Sequence, residues 1–295
     1  MRYELLVGLR YTRAKRRNHF ISFISLISMA GIALGVAALI VVLSVMNGFQ
    51  HELRARILAV VSHVQLSGPG NRLDDWRRVA EGARQHPRVL AAAPFINAQG
   101  MLTYGQGVRG AIVRGVLPEL EDSVADIGRH MRAGSLDALK PGGFGIVLGS
   151  ELARALGALP GDKVALIAPQ GQVTPAGVIP RLKQFTLVGT FEIGMYEYDS
   201  SLALLHLEDA QTLYRLGGAV SGVRLKLDDL FAARGVAAEL MSSLGAAVFA
   251  SDWTRSHANF FRAVEIEKRV MFIILTLIVA VAAFNIVSNM IMIVT

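Results

Sequence analysis

The chain has 295 residues, a net charge of +7, a mean hydropathy of +0.44 and only 18% charged residues. That length admits one large or two small domains, and the hydropathy is too high for an ordinary soluble enzyme. With no cysteine at all, disulfides, thiol chemistry and cysteine-ligated metals are excluded.

Residues 1–19 form a basic segment. Arg2, Arg10, Arg13, Lys15, Arg16 and Arg17 against Glu4 leave it at +5, most of the chain's excess. The stretch "FISFISLISMAGIALGVAALIVVLSV", Phe20 to Val45, then runs 26 residues without a charge. It exceeds the roughly 20 residues a helix needs to cross a bilayer. A cleavable signal peptide has a shorter apolar core and a small-residue cleavage site, and neither is present. Residues 20–47 are therefore read as a first transmembrane helix. Basic residues beside a first span stay in the cytoplasm, so the amino terminus is expected inside and residues 48–262 outside. The basic excess is a topology signal with lipid headgroups as its partners, not a nucleic-acid surface. Within the span, Ser28, Gly31, Gly35 and Ala38 form a stripe of small residues that lets another helix approach closely.

Past Gly48, apolar residues recur at Met46, Phe49, Leu53 and Ile57 with charge opposite, so the helix is expected to continue as a stalk. The outside domain then alternates in type. Strand-like runs ("HVQL", "AIVRGV", "GIVLG", "KVALIA", "FTLVGTF", "SLALLHL", "GVRLKL") are interspersed with helical stretches ("LDDWRRVAEGARQ", "SELARALG", "LEDAQTLYRLG", "LFAARGVAAELMSSLG"). This is an α+β domain inserted between two helices, large enough to manage without disulfides. Its size suggests two lobes, but no residue marks the boundary.

Catalytic and nucleotide motifs are missing. "GQGVRG", residues 105–110, matches G-x-G-x-x-G in letters but precedes a strand, so it reads as a turn between strands. Gly-Lys never occurs, which excludes a P-loop, and the seven histidines offer no H-x-x-x-H pair. "VLGSELA" has Leu152 where a nucleophile elbow needs its last glycine. Asp74–Asp75 and Asp228–Asp229 fall at expected helix starts and read as caps. No enzyme is expected.

The stretch "APQGQVTPAGVIPRLKQF" holds three of the nine prolines, Pro169, Pro175 and Pro180, and no charge before Arg181. Residues 169–180 read as a proline-stiffened loop held out of the sheet. Prolines lower the entropy lost on ordering such a loop, and Val173, Val178 and Ile179 give it an apolar tip.

The chain closes on residues 263–295, a second stalk and span. "VMFIILTLIVAVAAFNIVSNMIMIVT" is again uncharged, and Phe260, Val264 and Met271 share one face of its approach. Asn285 and Asn289 are costly facing lipid, so they should face protein or a cavity, either in simple packing of the two helices or in a larger bundle.

"GLRYTRAKRRNHFISFISLISMAGIALGVAALIVVLSVMNGF", with "SVMNGF" its most specific piece, "GIVLGSELARALGALPGDKVALIAP" and "FFRAVEIEKRVMFIILTLIVAVAAFNI" resemble the lipoprotein-releasing ABC transporter permeases of the LolC/LolE family. The resemblance covers the whole chain. It implies transmembrane α-helices with long stalks and a large α+β extracytoplasmic domain, the MacB-like or type VII ABC permease architecture. It also implies a bacterial inner-membrane, multi-pass protein with both termini cytoplasmic and its large domain periplasmic. The implied partners are a second permease subunit, a cytoplasmic ABC ATPase dimer that binds the ATP and magnesium, a lipoprotein substrate and a soluble periplasmic carrier.

In the LolC-type subunit a proline-bounded hook captures the carrier. The family pattern P…T-P-x-G-x-I-P is matched by Pro169, Thr174, Pro175, Gly177, Ile179 and Pro180. Arg181, Lys183 and Gln184 lie near the family's carrier-contacting positions in a different order, and Lys183 is carried over. Met46, Phe49, Leu53, Phe260, Val264 and Met271 would form the greasy entrance for acyl chains, where each buried methylene contributes about 0.8 kcal/mol. Family members continue past the second span with a cytoplasmic coupling segment and two further spans, so a chain stopping at Thr295 reads as a fragment. The alternatives are a related permease for peptide or toxin efflux, and a membrane-anchored signalling scaffold driving a periplasmic partner.

Overall fold

A computed structural model describes residues 3, 19–60, 62–174, 177–229, 232–245, 248–253 and 258–294; among these, the side chains of 19–26, 28, 49–60, 170–179, 258–265, 268, 285–286 and 288–294 are not described. The chain divides into two compact units. One joins residues 1–52 to 259–295, and the other spans 53–258.

The first unit contains two long helices, α1 (His19–Val60) and, at the end of the chain, α8 (Ala258–Val294). At 1.5 Å per residue they are roughly 63 and 56 Å long, well beyond a hydrocarbon core of about 30 Å. In α1, Met29–Gly48 is apolar enough to span a membrane; in α8, Arg269–Phe284 is the apolar stretch found among the described residues. Glycine in a helix interior costs about 1 kcal/mol against alanine. α1 nevertheless stays helical through Gly31, Gly35 and Gly48, and then through the polar stretch that follows.

The second unit is built around one strand that the sequence reading missed. It contains β1 (Val64–Ser67), α2 (Trp76–Arg84), β2 (Val89–Tyr104), β3 (Gly107–Val116), α3 (Pro118–Val124), β4 (Met131–Gly134), β5 (Gly145–Gly149) and α4 (Ser150–Leu156). It continues with β6 (Lys163–Thr174), β7 (Gly177–Phe191), α5 (Tyr196–Asp199), β8 (Leu202–His206), α6 (Leu207–Tyr214), β9 (Gly222–Leu227), α7 (Ala233–Leu244) and β10 (Phe249–Asp252). The 16-residue β2 serves two sheets. Its first half, Val89–Phe95, pairs with β9 and completes an antiparallel sheet of order β10-β1-β9-β2. Its second half, from Ile96, pairs with β3 on one side and, through Met101–Thr103, with β6 on the other.

From there the pairing closes on itself. β3 pairs with β8, β8 with β5, β5 with β7, β7 with β6, and β6 returns to β2. The result is a ring of six strands with β4 added on β7. The two lobes that the size suggested are therefore an open four-stranded sheet and a closed six-stranded one, joined along β2.

The helices follow the apolar spacing. In α2, Trp76, Val79, Ala80 and Ala83 are buried, and in α7 Ala233, Val236, Ala237 and Leu240, the same i, i+3, i+4, i+7 stripe. The two helices pack on each other and on the open sheet. α4 and α6 cover the closed sheet. Strands β5 and β8 are buried at every position, which is why their sequences are unbroken apolar runs without alternation. At the end of β5 only glycine fits, because a Cβ on Gly149 would lie 2.3 Å from the Asp199 carbonyl oxygen. "GQGVRG" is the β2–β3 hairpin turn, with Tyr104 paired to Gly107 and Gly105 at φ +54°.

Two expectations change. The described residues of the 169–180 stretch do not leave the sheet: β6 and β7 pair again beyond the body, Gln172 with Ile179, Val173 with Val178, Thr174 with Gly177. The ladder breaks only between Ala168 and Gln172, where Pro169 and Pro180 bring no N–H. The hook is thus a hairpin arm, stiffened by pairing as well as by proline. The Asp74–Asp75 pair stands at the expected helix start, where its charge faces the dipole, but adds no side-chain capping bond there. Asp75 stands at the start of α2 without a capping bond, and its carboxylate accepts instead from Arg78, while Asp74 accepts from Arg72. Asp228 and Asp229 follow β9 and both hold Arg88, at 3.0 and 3.2 Å.

Candidate functional site: the hairpin arm and the helix faces

The arm grows out of the β6–β7 ladder, so its root is rigid. On one face of that root Met101, Ile167 and Leu182 stand in register across β2, β6 and β7. Met101 and Leu182 are 43% and 58% exposed, an apolar row leading out from the closed sheet. Pro169 and Pro180, where the arm leaves the body, are exposed as well. Pro175 and the side chains of Val173, Thr174, Gly177, Val178 and Ile179 lie outside the described residues.

Lys183 is held in place from below. Its ammonium sits 3.8 Å from the centroid of the Phe144 ring, and Phe144 meets Phe185 edge-on at 5.7 Å. Phe144 itself takes the left-handed region, at φ +46°, a costly conformation for a residue with a Cβ. The buried carboxylate of Asp209 supports it, accepting the N–H of Gly142 at 2.8 Å and that of Phe144 at 3.0 Å. The strain in one loop thus fixes an aromatic seat for a surface cation. Phe144 and Asp209 escaped the sequence reading because a left-handed phenylalanine leaves no signature. Two places along, Arg181 is half-buried, with its Nε shielded from solvent and without a partner among the described residues.

Beside the root lies a cavity of about 590 Å³ lined by Asn71, Asn97, Gln99, Pro169 and Tyr214, among others. It occupies the notch on β2 between Phe95, paired with Gly222 at the start of β9, and Met101, paired with Ile167 of β6. Side chains finish the strand edge there. Asn71 Nδ2 donates to the Asn97 carbonyl at 3.0 Å, the Tyr214 hydroxyl donates to the Gln99 carbonyl at 3.0 Å, and the Asn97 N–H donates to Ser221 Oγ at 2.9 Å. Burial pushes the Tyr214 phenol well above its ordinary range, so it remains a donor.

In the helical unit, Gly31 and Gly35 line an apolar cavity of about 230 Å³ with Leu277, Ile278, Val281 and Ala282 of α8. A Cβ on Gly35 would come 3.9 Å from Ile278 Cγ2. Ala38 is exposed and stands outside this cavity. A second cavity, of about 220 Å³, brings Met46 and Met271 together with Leu43, Asn47, Phe272 and Glu267. Glu267 Oε1 is buried there with no hydrogen-bond partner among the described residues. The sequence carried that signal: Glu267 stands three places after Val264 and four before Met271, on the face read as greasy. The side chains of Phe49, Leu53, Phe260, Val264, Ser28, Asn285 and Asn289 lie outside the described residues.

Among the described residues no cluster of acids and histidines could hold a metal. The family profile of the MacB-like periplasmic core domain matches residues 25–242. The lipoprotein-releasing system transmembrane protein LolC of Neisseria meningitidis is 52% identical over 293 residues, covering 99% of this chain and 71% of the relative. LolC of Xylella fastidiosa is 47% identical over 292 residues, with 99% and 70% covered. LolE of Haemophilus influenzae is 33% identical over 298 residues, with 99% and 71% covered. On these grounds the chain belongs to the LolC/LolE family, the permease subunits of the lipoprotein-releasing ABC transport system.

Proposed function

We propose that this permease draws lipoproteins out of the outer leaflet of the bacterial inner membrane between its long helices and passes them to a soluble periplasmic carrier held by the hairpin arm. The observation that carries the reading is the pairing of Val173 with Val178 beyond the body of the closed sheet. Backbone pairing lowers the entropy lost when such an arm enters a greasy cleft. The amino terminus is cytoplasmic and residues 48–262 are periplasmic. A second permease subunit, the same or related, completes the pathway, and a cytoplasmic ATPase dimer binds ATP and magnesium.

The Met46–Met271 cavity supports an acyl-chain entrance. Both thioethers are flexible enough to fit chains of different shape, while Glu267 and Asn47 meet the polar base of the lipoprotein. Peptide or toxin efflux and a signalling scaffold are not favoured, since the relatives are named for lipoprotein release.

The test is release of a labelled lipoprotein from proteoliposomes holding the full-length permease, its partner subunits and a soluble carrier. Met46→Asp and Met271→Asp should each lower release by tenfold or more, since a charge replaces roughly 2 kcal/mol of apolar contact. Basal ATP hydrolysis should persist. Unchanged release in both variants would remove the entrance from this cavity.

A further inference from the structure

The notch on β2 interrupts the strand pairing, and side chains take over the main-chain edge there. Asn71 sits in the left-handed region at φ +61°, which asparagine tolerates, and donates from Nδ2 to the Asn97 carbonyl at 3.0 Å. Ser221 Oγ accepts the Asn97 N–H at 2.9 Å, and the Tyr214 hydroxyl donates to the Gln99 carbonyl at 3.0 Å. A peptide that adds to a sheet as a further strand bonds to that main-chain edge. Three of its groups are already bonded, so a peptide strand does not suit the notch.

The side chains are what stays open. Asn97 and Gln99 stand two apart on β2, hence on one face of the strand, and both line the cavity of about 590 Å³. Both are exposed, and no hydrogen bond engages either side-chain amide among the described residues. Each amide offers a carbonyl oxygen that accepts and an NH2 group that donates. Beside them the cavity has apolar walls, among them Leu216 and Ile112, the cross-strand neighbour of Gln99. Arg72 is the one charged residue in the lining, and its guanidinium is held by Asp74 at 2.8 and 3.2 Å. An anion therefore finds no uncommitted cation there, and among the described residues no carboxylate lines the cavity for a cation.

Paired neutral donors and acceptors beside apolar walls match the chemistry of a sugar ring, whose adjacent hydroxyls each donate and accept around a C–H face. The geometry points to a saccharide site: Asn97 and Gln99 bind adjacent polar groups of a neutral sugar, while Ile112 and Leu216 meet its C–H face. The volume falls within the roughly 300–1,000 Å³ of small-molecule sites. Pro169, at the base of the arm, lines the same cavity. The site thus stands beside the arm without using its tip, and it does not rest on what the transporter carries.

The test is saturation-transfer NMR on the full-length permease with its partner subunits in lipid nanodiscs, prepared without alkyl-glycoside detergent. The probes are two neutral trimers, cellotriose and tri-N-acetylchitotriose, with trigalacturonic acid as the anionic control. At least one neutral trimer should bind, and the anionic one should not. Asn97→Ala and Gln99→Ala should each weaken that binding about three- to tenfold, the effect of losing one neutral hydrogen bond. Neither side-chain amide holds another residue in place, so both variants keep the fold. Co-sedimentation with purified cell-wall glycan then separates the sources. Enrichment assigns the site to a glycan strand; its absence, with a soluble trimer still bound, assigns it to a free saccharide. No transfer to either neutral trimer, equal transfer to the anionic one, or unchanged affinity in both variants would overturn the site.

Discussion

Lys183 shows how a surface side chain acquires a fixed position. Asp209 holds two backbone N–H groups, these hold Phe144 in a left-handed conformation, and the ring seats the ammonium. Asp209→Asn leaves only one acceptor oxygen for two donors. It should cost about 1.5–3 kcal/mol of stability, the range for hydrogen bonds to a charged group, read from chemical denaturation. It should also weaken carrier binding, as Lys183 loses its seat; unaltered affinity would disconnect Phe144 from the docking surface. His63 gives a pH prediction. Burial first, and then the Lys226 ammonium, keep its imidazole below the ordinary 6.5. Its Nδ1 accepts the Leu227 N–H at 3.0 Å. The unfolded chain binds this proton more readily than the folded one, so the contribution is complete above pH 6.5 and is lost as pH falls through the lower folded value. His63→Asn keeps an acceptor but does not titrate, so the fall in denaturation midpoint between about pH 7 and pH 5 should flatten.

At the scale of elements, legibility followed burial. The buried runs of β5 and β8 and the amphipathic stripes of α2 and α7 were readable because their patterns answer to one surface each. β2 answers to two. Its Ala91–Ala93 run, Pro94 and Gly100 break any single alternation, since the strand changes partners at Phe95–Ile96. The arm was legible in its boundaries, through Pro169 and Pro180, but not in its pairing, because three prolines read as strand breakers. As the described residues of the arm beyond Ala168 pair in the sheet only with each other, the arm can be removed. Replacing residues 172–179 by a short turn should leave the thermal midpoint within a few degrees, as expected for a change under about 1 kcal/mol in a domain of this size. Carrier binding should be lost entirely. A large fall in the midpoint would make the arm part of the core instead.

For the whole molecule, the two uncharged runs separated the helical unit from the α+β unit, and the motifs at both ends of the chain carried the family. What composition could not supply was the closed sheet, since a ring of mixed parallel and antiparallel pairings depends on contacts between residues as distant as Thr103 and Ala165. The central claim is that the arm of this lipoprotein-releasing permease captures a soluble carrier. The most direct measurement replaces Val178 by a photo-crosslinking residue in the full-length protein in its own membrane and identifies the adduct by mass. The account predicts a soluble periplasmic lipoprotein carrier, crosslinked at Val178 and not at an exposed control position such as Glu81. An adduct with an outer-membrane channel or a cell-wall enzyme, or no adduct at all, would contradict it.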